Sequence, residues 1–182
     1  MLRSWRCVDS STKARLNALA ITLSVKGEIC DVQEAKLTTS KSMSNLAELG
    51  NMPEIIKIEE ELLKLPQVEC PVTHYQVKGV YARSMFIPAG TMLTGKIHNF
   101  ENIAILAQGT IRITNGTESY VLTAPHIMVD EPGVKRLGYA ETDVTFITVH
   151  RTDNTEIADI EKELVSNNFI EYEQQRLLGE LL

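Results

Sequence analysis

Apolar and polar residues alternate in short runs through the middle of the chain, with turn-forming residues between the runs. Tyr81 to Ile87, Thr91 to His98, Ile103 to Ala107 and Thr110 to Thr114 each read as a strand with one buried face. Ser119 to Leu122, His126 to Asp130, Lys135 to Ala140 and Val144 to His150 continue the series, and Gln67 to His74 leads into it. Asn115-Gly116 predicts a type I′ hairpin, whose two central residues take positive φ. Pro125, Pro132 and Gly133 mark further turns. Many short, regularly punctuated strands predict an all-β sandwich or barrel.

Helical spacing flanks these strands. Ile55, Ile58, Leu62 and Leu65 recur on one face of Pro53 to Leu65, proline suits a first helical position, and Pro66 ends the run. Glu54, Glu59, Glu60 and Glu61 lie early and outward, as a solvated face that suits the helix dipole. After the strands, Asp153 with Glu156 makes a capping-box pattern for a helix over Asp153 to Val165, with Ile157, Ile160 and Leu164 as its buried stripe. Phe169 to Leu182 reads as a second short helix. Near the start, Ser10 to Val25 has a ragged apolar face and Lys36 to Ser44 is a polar linker. We therefore divide the chain into an N-terminal arm and linker (1–50), a barrel with its leading helix (51–155) and a C-terminal helical tail (156–182).

Composition narrows the possibilities. The chain has 182 residues, 43% apolar and 23% charged, with a net charge of -6. Residues 151–182 carry 3 basic and 8 acidic groups, so the acidic surplus belongs to the tail. Nothing forms the basic stripe that duplex binding needs, which argues against a nucleic-acid partner. The apolar run Leu16 to Val25 is too short to span a bilayer, and no small-residue cleavage site follows it before Lys26 and Glu28. Cys7, Cys30 and Cys70 are odd in number and widely spaced, which reads as reduced thiols in the cytoplasm.

The most informative stretch is Pro88 to Gly109, PAGTMLTGKIHNFENIAILAQG. Its glycines, His98 and their spacing resemble the first motif of the cupin superfamily, which runs Gly, five residues, His-x-His, three or four residues, Glu, six residues, Gly. Aligning Gly90 and Gly109 with the motif's glycines puts Lys96 and His98 at the histidines and Asn102 at the glutamate. In the second motif, Asp130-Glu131-Pro132-Gly133-Val134-Lys135-Arg136 puts Arg136 at the fourth ligand position. The likeness spans about residues 75 to 150. The stretches YAR, FIPAGT, LTGKIH, PGVKR and TVH also resemble small cupin-like proteins of tailed phages. The fold this implies is mainly β: a cupin-type barrel, or double-stranded β-helix (jelly roll), with flanking N- and C-terminal helices. For a protein of phage origin, the implied compartment is the host cytoplasm.

The replacements redirect the chemistry. A cupin metal needs histidines and a carboxylate converging at about 2.0–2.2 Å. Two permanent cations at ligand positions would repel a divalent ion, so the sequence implies no metal and no cofactor. His98 with Glu101 and a distant His126 or His150 is the alternative metal set. Lys96 and Arg136 beside His98 suit an anion, with the guanidinium fork, the ammonium and a neutral imidazole as donors.

The expected ligand-binding residues are Lys96, His98, Arg136, Tyr139, Arg83 and His150. The expected ligand is a small anionic metabolite or nucleotide, sequestered in a phage accessory role. A metal-independent isomerase or epimerase is the catalytic alternative, with His98 or His150 as base and Tyr139 as acid. The structural alternative is an ion network in which Lys96 and Arg136 pair with Glu101, Glu131 or Asp130, and the third function class is a structural or interaction module with no ligand, whose arms assemble on a partner. A binding role is read ahead of a catalytic one. A homo-oligomer is expected: the cupin resemblance implies pairing through the sheets, and the 53–65 helix and the C-terminal arm offer further apolar faces.

Overall fold

The structure, a computed structural model, describes residues 5–9 and 52–179. The helix expected over Ser10 to Val25, the linker and Cys30 lie outside the described residues. Twelve strands and three helices follow in order among those described. They are β1 (Trp5–Asp9), α1 (Met52–Leu62), β2 (Val72–Val77), β3 (Val80–Ile87), β4 (Thr91–Gly95), β5 (Ile97–His98) and β6 (Asn102–Gln108). Then come β7 (Thr110–Thr114), β8 (Ser119–Thr123), β9 (His126–Asp130), β10 (Leu137–Ala140), β11 (Val144–Arg151), α2 (Ile157–Leu164), β12 (Val165–Ser166) and α3 (Phe169–Leu177). No helix among these is long and apolar enough to cross a membrane.

The strands form two five-stranded antiparallel sheets, β1-β4-β10-β7-β8 and β2-β3-β11-β6-β9. Their pairings are nested: β7 with β8, β6 with β9, β4 with β10 and β3 with β11. One long hairpin is thus rolled so that its successive pairs alternate between the sheets. That is the jelly roll, or double-stranded β-helix, expected of a cupin-type fold. The core between the sheets holds Met85, Ile87, Leu93, Leu106, Ile111 and Phe146, all buried.

Local departures from the sequence reading have physical causes. Trp5–Asp9, assigned above to the arm, is an edge strand paired with β4, and Cys7 and Val8 are buried. The loop after β7 has four residues, with Thr114 level with Ser119, in place of a two-residue type I′ turn. Asn115 Oδ1 accepts the backbone N–H groups of Thr117 and Glu118, an arrangement that needs the longer loop. Helix α2 starts at Ile157 with Glu156 at its N-cap and no side-chain cap bond, so Asp153 does not cap it. Its run ends one residue early because Val165 and Ser166 pair with β5. Helix α3 takes its cap from Asn168, whose Oδ1 accepts the Glu171 N–H.

Helix α1 covers the outer face of the first sheet. Ile55, Ile58 and Leu62 pack on Val8 and Leu137, each burial contributing roughly 1.5–3 kcal/mol. The Gln67 side-chain amide donates to the carbonyls of Leu62 and Leu65 and closes the helix end. Glu59 departs from its expected solvated role. It turns under the helix and accepts two hydrogen bonds from Lys135 Nζ, at 2.8 and 2.9 Å, and one from Thr94 Oγ1 at 2.9 Å. Helix α2 caps the other end of the barrel, where Ile160 and Leu164 pack against Tyr81 and Phe100.

Candidate functional site

The inner face of the second sheet is graded in polarity, and strand register shows how. One cross-strand row reads Met85–Phe146–Leu106 and is apolar. The next reads Arg83–Thr148–Ala104–Met128. Beyond it, Tyr81 lies opposite His150, and Asn102 lies opposite Asp130. Period-2 alternation points all of these side chains inward. One end of the barrel is therefore hydrocarbon and the other is a cluster of hydrogen-bonding groups.

A cavity of about 620 Å³, counting its open mouth, lies between the sheets. Its deep walls are apolar, including Met85, Met128 and Phe146, and its polar end is formed by Lys96, His98, Asp130, Arg136 and Thr148. Gly138 also lines it, since a side chain there would meet Leu93 and Ile111. Lys96 sits at the break between β4 and β5, half-buried at the mouth. The turn before β10 is pinned from two sides. The Gly133 N–H donates to the His98 carbonyl at 2.9 Å, and the Tyr172 ring of α3 lies where a Cβ on Gly133 would stand.

His98 is the centre of the site. Its Nδ1 lies 2.7 Å from Asn102 Nδ2; with the amide nitrogen as donor, the ring proton belongs on Nε2. Burial, then the neighbouring His150, Arg83 and Arg136, hold its pKa well below the ordinary value, so the imidazole is neutral. His150 stands edge-on to it, with ring centroids 5.2 Å apart, and burial with the Arg83 charge brings its pKa down to about 4.

Arg136 Nη1 lies 2.8 Å from Asp130 Oδ1, yet that oxygen has no hydrogen bond of good geometry. We read the pair as a charge contact with the N–H groups aimed elsewhere. Burial raises the Asp130 pKa, against the pull of Arg136. Arg136 Nε, Thr148 Oγ1 and Asn102 Oδ1 are also buried without a partner. Unpartnered buried polar atoms are costly, about 1–3 kcal/mol each, and Arg136 Nε, Thr148 Oγ1 and Asn102 Oδ1 lie together at this end of the barrel.

Of the residues expected to bind a ligand, the structure brings Lys96, His98 and Arg136 to one cavity. Arg83 and His150 lie on the far side of His98, in a smaller recess of about 270 Å³ with Tyr81 and Glu161. Tyr139 is on the outer face of β10, two residues from Leu137, which packs under α1. Asp130 and Thr148 join the site instead. Inward parity with His150 points to Thr148 from sequence, whereas the Asp130 contact depends on the fold of the turn to Arg136. Among the described residues no three His, Cys, Asp or Glu side chains group to hold a metal ion. The donor set at the cupin ligand positions, an ammonium, an imidazole, an amide and a guanidinium, does not fit a divalent cation.

No protein-family profile and no curated protein sequence matches the chain. Solved structures similar to it include an ethanolamine utilization protein Q from Salmonella typhimurium, at 17% identity and TM-score 0.41, covering 47% of this chain and 71% of that one. Another is an RmlC-like cupin family protein with a double-stranded β-helix fold from Methanocaldococcus jannaschii, at 17% identity and TM-score 0.41, covering 47% and 82%. A third is a cupin-2 domain containing protein from Shewanella frigidimarina, at 12% identity and TM-score 0.39, covering 52% and 92%. The fold assignment rests on the strand pairings described above.

Proposed function

We propose that the barrel binds a small anionic molecule with an apolar body, and does so without a resident metal ion. The observation that supports this most is the set of unpartnered polar atoms beside Lys96 and Arg136 at one end of an otherwise apolar cavity. The anionic head would lie between the Lys96 ammonium and Arg136 Nε, with His98 Nε2–H as a neutral donor. The body would lie along Met85, Met128 and Phe146. Asp130 offsets much of the Arg136 charge, which favours a monoanion over the polyphosphate of a nucleotide. With Tyr139 on the outer face, the isomerase reading loses its acid. In the phage setting suggested by the sequence resemblance, the corresponding role is sequestration of such a metabolite.

Methionine-methyl NMR tests this, because Met85 and Met128 both line the cavity. Titration with hexanoate is expected to shift both methyl signals saturably, while hexylamine leaves them in place. Equal responses to the two, or no saturable response to either at millimolar concentration, would overturn the proposal.

A further inference from the structure

Cys7 and Cys70 stand far apart in the sequence, and folding brings them together. Cys7 lies on β1, at the edge of the first sheet, and Cys70 lies in the segment that runs from α1 to β2, at the edge of the second. The two stretches are pinned side by side. The Val68 N–H donates to the Cys7 carbonyl at 2.7 Å, and Val8 makes an antiparallel bridge with Gln67. Cys7 is buried in the core between the sheets and Cys70 packs half-buried against that core. Their thiols are in hydrogen-bonding contact.

We infer that Cys7 and Cys70 form a redox-active dithiol, which a hydroperoxide oxidises to a disulfide that clasps the edge strand of one sheet to the entry of the other. The two sulfurs are unequal, and that sets their roles. Cys7 is only 4% exposed, so among the described residues Cys70 is the thiol that meets the oxidant. The Cys7 S–H held against the Cys70 sulfur favours its thiolate and draws its pKa below the usual value, against the opposing effect of burial.

The Cys70 thiolate attacks one oxygen of the peroxide. An S–O bond forms, the O–O bond breaks, and the other oxygen leaves as hydroxide, which takes up the proton that Cys70 gave away. The Cys7 sulfur then attacks the sulfur of the Cys70 sulfenic acid. The S–S bond forms, the S–O bond breaks, and the oxygen leaves with the Cys7 proton as a second water. Two thiols thus supply the two electrons that reduce the peroxide, and a small dithiol reverses the step by exchange. Reduced thiols, the state expected from the sequence, are the resting form, since disulfides in a reducing compartment are usually transient. The bond closes a loop of some sixty residues that contains α1, so it restricts the unfolded chain strongly.

The full chain carrying Cys30→Ser, which removes the third thiol, tests the inference. After hydrogen peroxide, denaturation and alkylation, mass spectrometry is expected to find a single chain lighter by two hydrogens, with no alkylated cysteine and one peptide pair joined through Cys7 and Cys70. Its Tm should rise by about 5–10 °C, and dithiothreitol should reverse every change. In the parent, the same pair should be joined and Cys30 alkylated. Adding Cys7→Ala leaves the Cys70 sulfenic acid without a resolving thiol, so dimedone should capture it, with Cys7→Ser as the second variant should the first fail to fold. Two alkylated cysteines after peroxide, a bond through Cys30 in the parent, links only between chains, or an unchanged or lowered Tm would overturn the inference. Dimedone on Cys7 in the Cys70→Ala chain would overturn the assignment of roles.

Discussion

Lys135 and Arg136 are adjacent in sequence and opposite in role. Lys135 turns outward into the seam beneath α1, where its side chain is 3% exposed and both Glu59 oxygens hold it. Arg136 turns inward to the cavity mouth, 22% exposed, against a carboxylate that it meets without a well-aimed hydrogen bond. Both lie in the turn that leads into β10, and successive side chains there face opposite ways. The outer cation is held by both carboxylate oxygens, while the inner one keeps its Nε without a partner. A buried ion pair contributes little net stability, yet removing one partner is costly, so the two sites respond differently to the same kind of substitution.

The largest expected effect breaks the outer pair. Glu59→Ala leaves Lys135 buried without its carboxylate and is expected to cost about 3–5 kcal/mol in denaturant unfolding, with hexanoate affinity unchanged in the protein that remains folded. A loss under about 1 kcal/mol would show that the seam admits water.

Acid sharpens the comparison from within the barrel. His150 takes its proton near 6.5 when unfolded but only at about 4 when folded. As pH falls, the unfolded chain is protonated first, so stability present above pH 6.5 is lost down to about 4. This amounts to about 3 kcal/mol. Asp130, whose folded pKa is raised, acts in the opposite sense, favouring the folded state as pH falls. The difference between the parent and His150→Gln therefore isolates the imidazole, and parallel stability–pH curves for the two would refute its role.

Arg136→Ala should reverse the pattern of Glu59→Ala. Hexanoate affinity is expected to fall ten- to a hundred-fold, roughly 1.5–3 kcal/mol, measured by calorimetry. Its melting temperature should recover towards that of the parent at low pH, because the Asp130 left behind can take a proton. Unchanged affinity with a large loss of stability at every pH would make Arg136 structural, like its neighbour. Lys96→Met should have the smallest effect, a few-fold in affinity and under about 1 kcal/mol, since Lys96 is half-exposed and its charge is screened.

Much of this was legible from alternation. The strands from β3 to β11 follow the runs of period-2 polarity, save that β4 and β5 divide one run at Lys96 and β10 begins at Leu137, two residues after the expected Lys135. Cupin-like spacing brought Lys96, His98 and Arg136 to one place. What escaped was tertiary. Glu59 looks solvated on a helical wheel until a lysine some seventy residues away turns beneath it. Tyr139 shares a strand with the site but not its face, and α2 ends one residue early because the chain goes on to pair Val165 and Ser166 with β5. The apolar run across the outer face of the second sheet was equally hidden, since Ile103, Ile127 and Val129 read as ordinary strand residues until register sets them side by side.

The nesting of the strand pairs also sets an order of assembly. Of the four nested pairs, only β7 and β8 are joined by a tight loop, and each further pair encloses all those inside it, out to β3 with β11. Loop closure is cheapest at the Asn115–Glu118 turn and becomes cheaper for each outer pair once the inner one has formed. Chain collapse should therefore zip outward from that hairpin, slowly, as befits contacts so distant in sequence. Asn102 and Asp130 meet at an intermediate stage, whereas His150 reaches Tyr81 only when the outermost pair closes. The end of the barrel where His150 meets Tyr81 is thus among the last parts of the molecule to be made, and a chain interrupted before Val144 would lack Phe146 and Thr148 from the cavity wall.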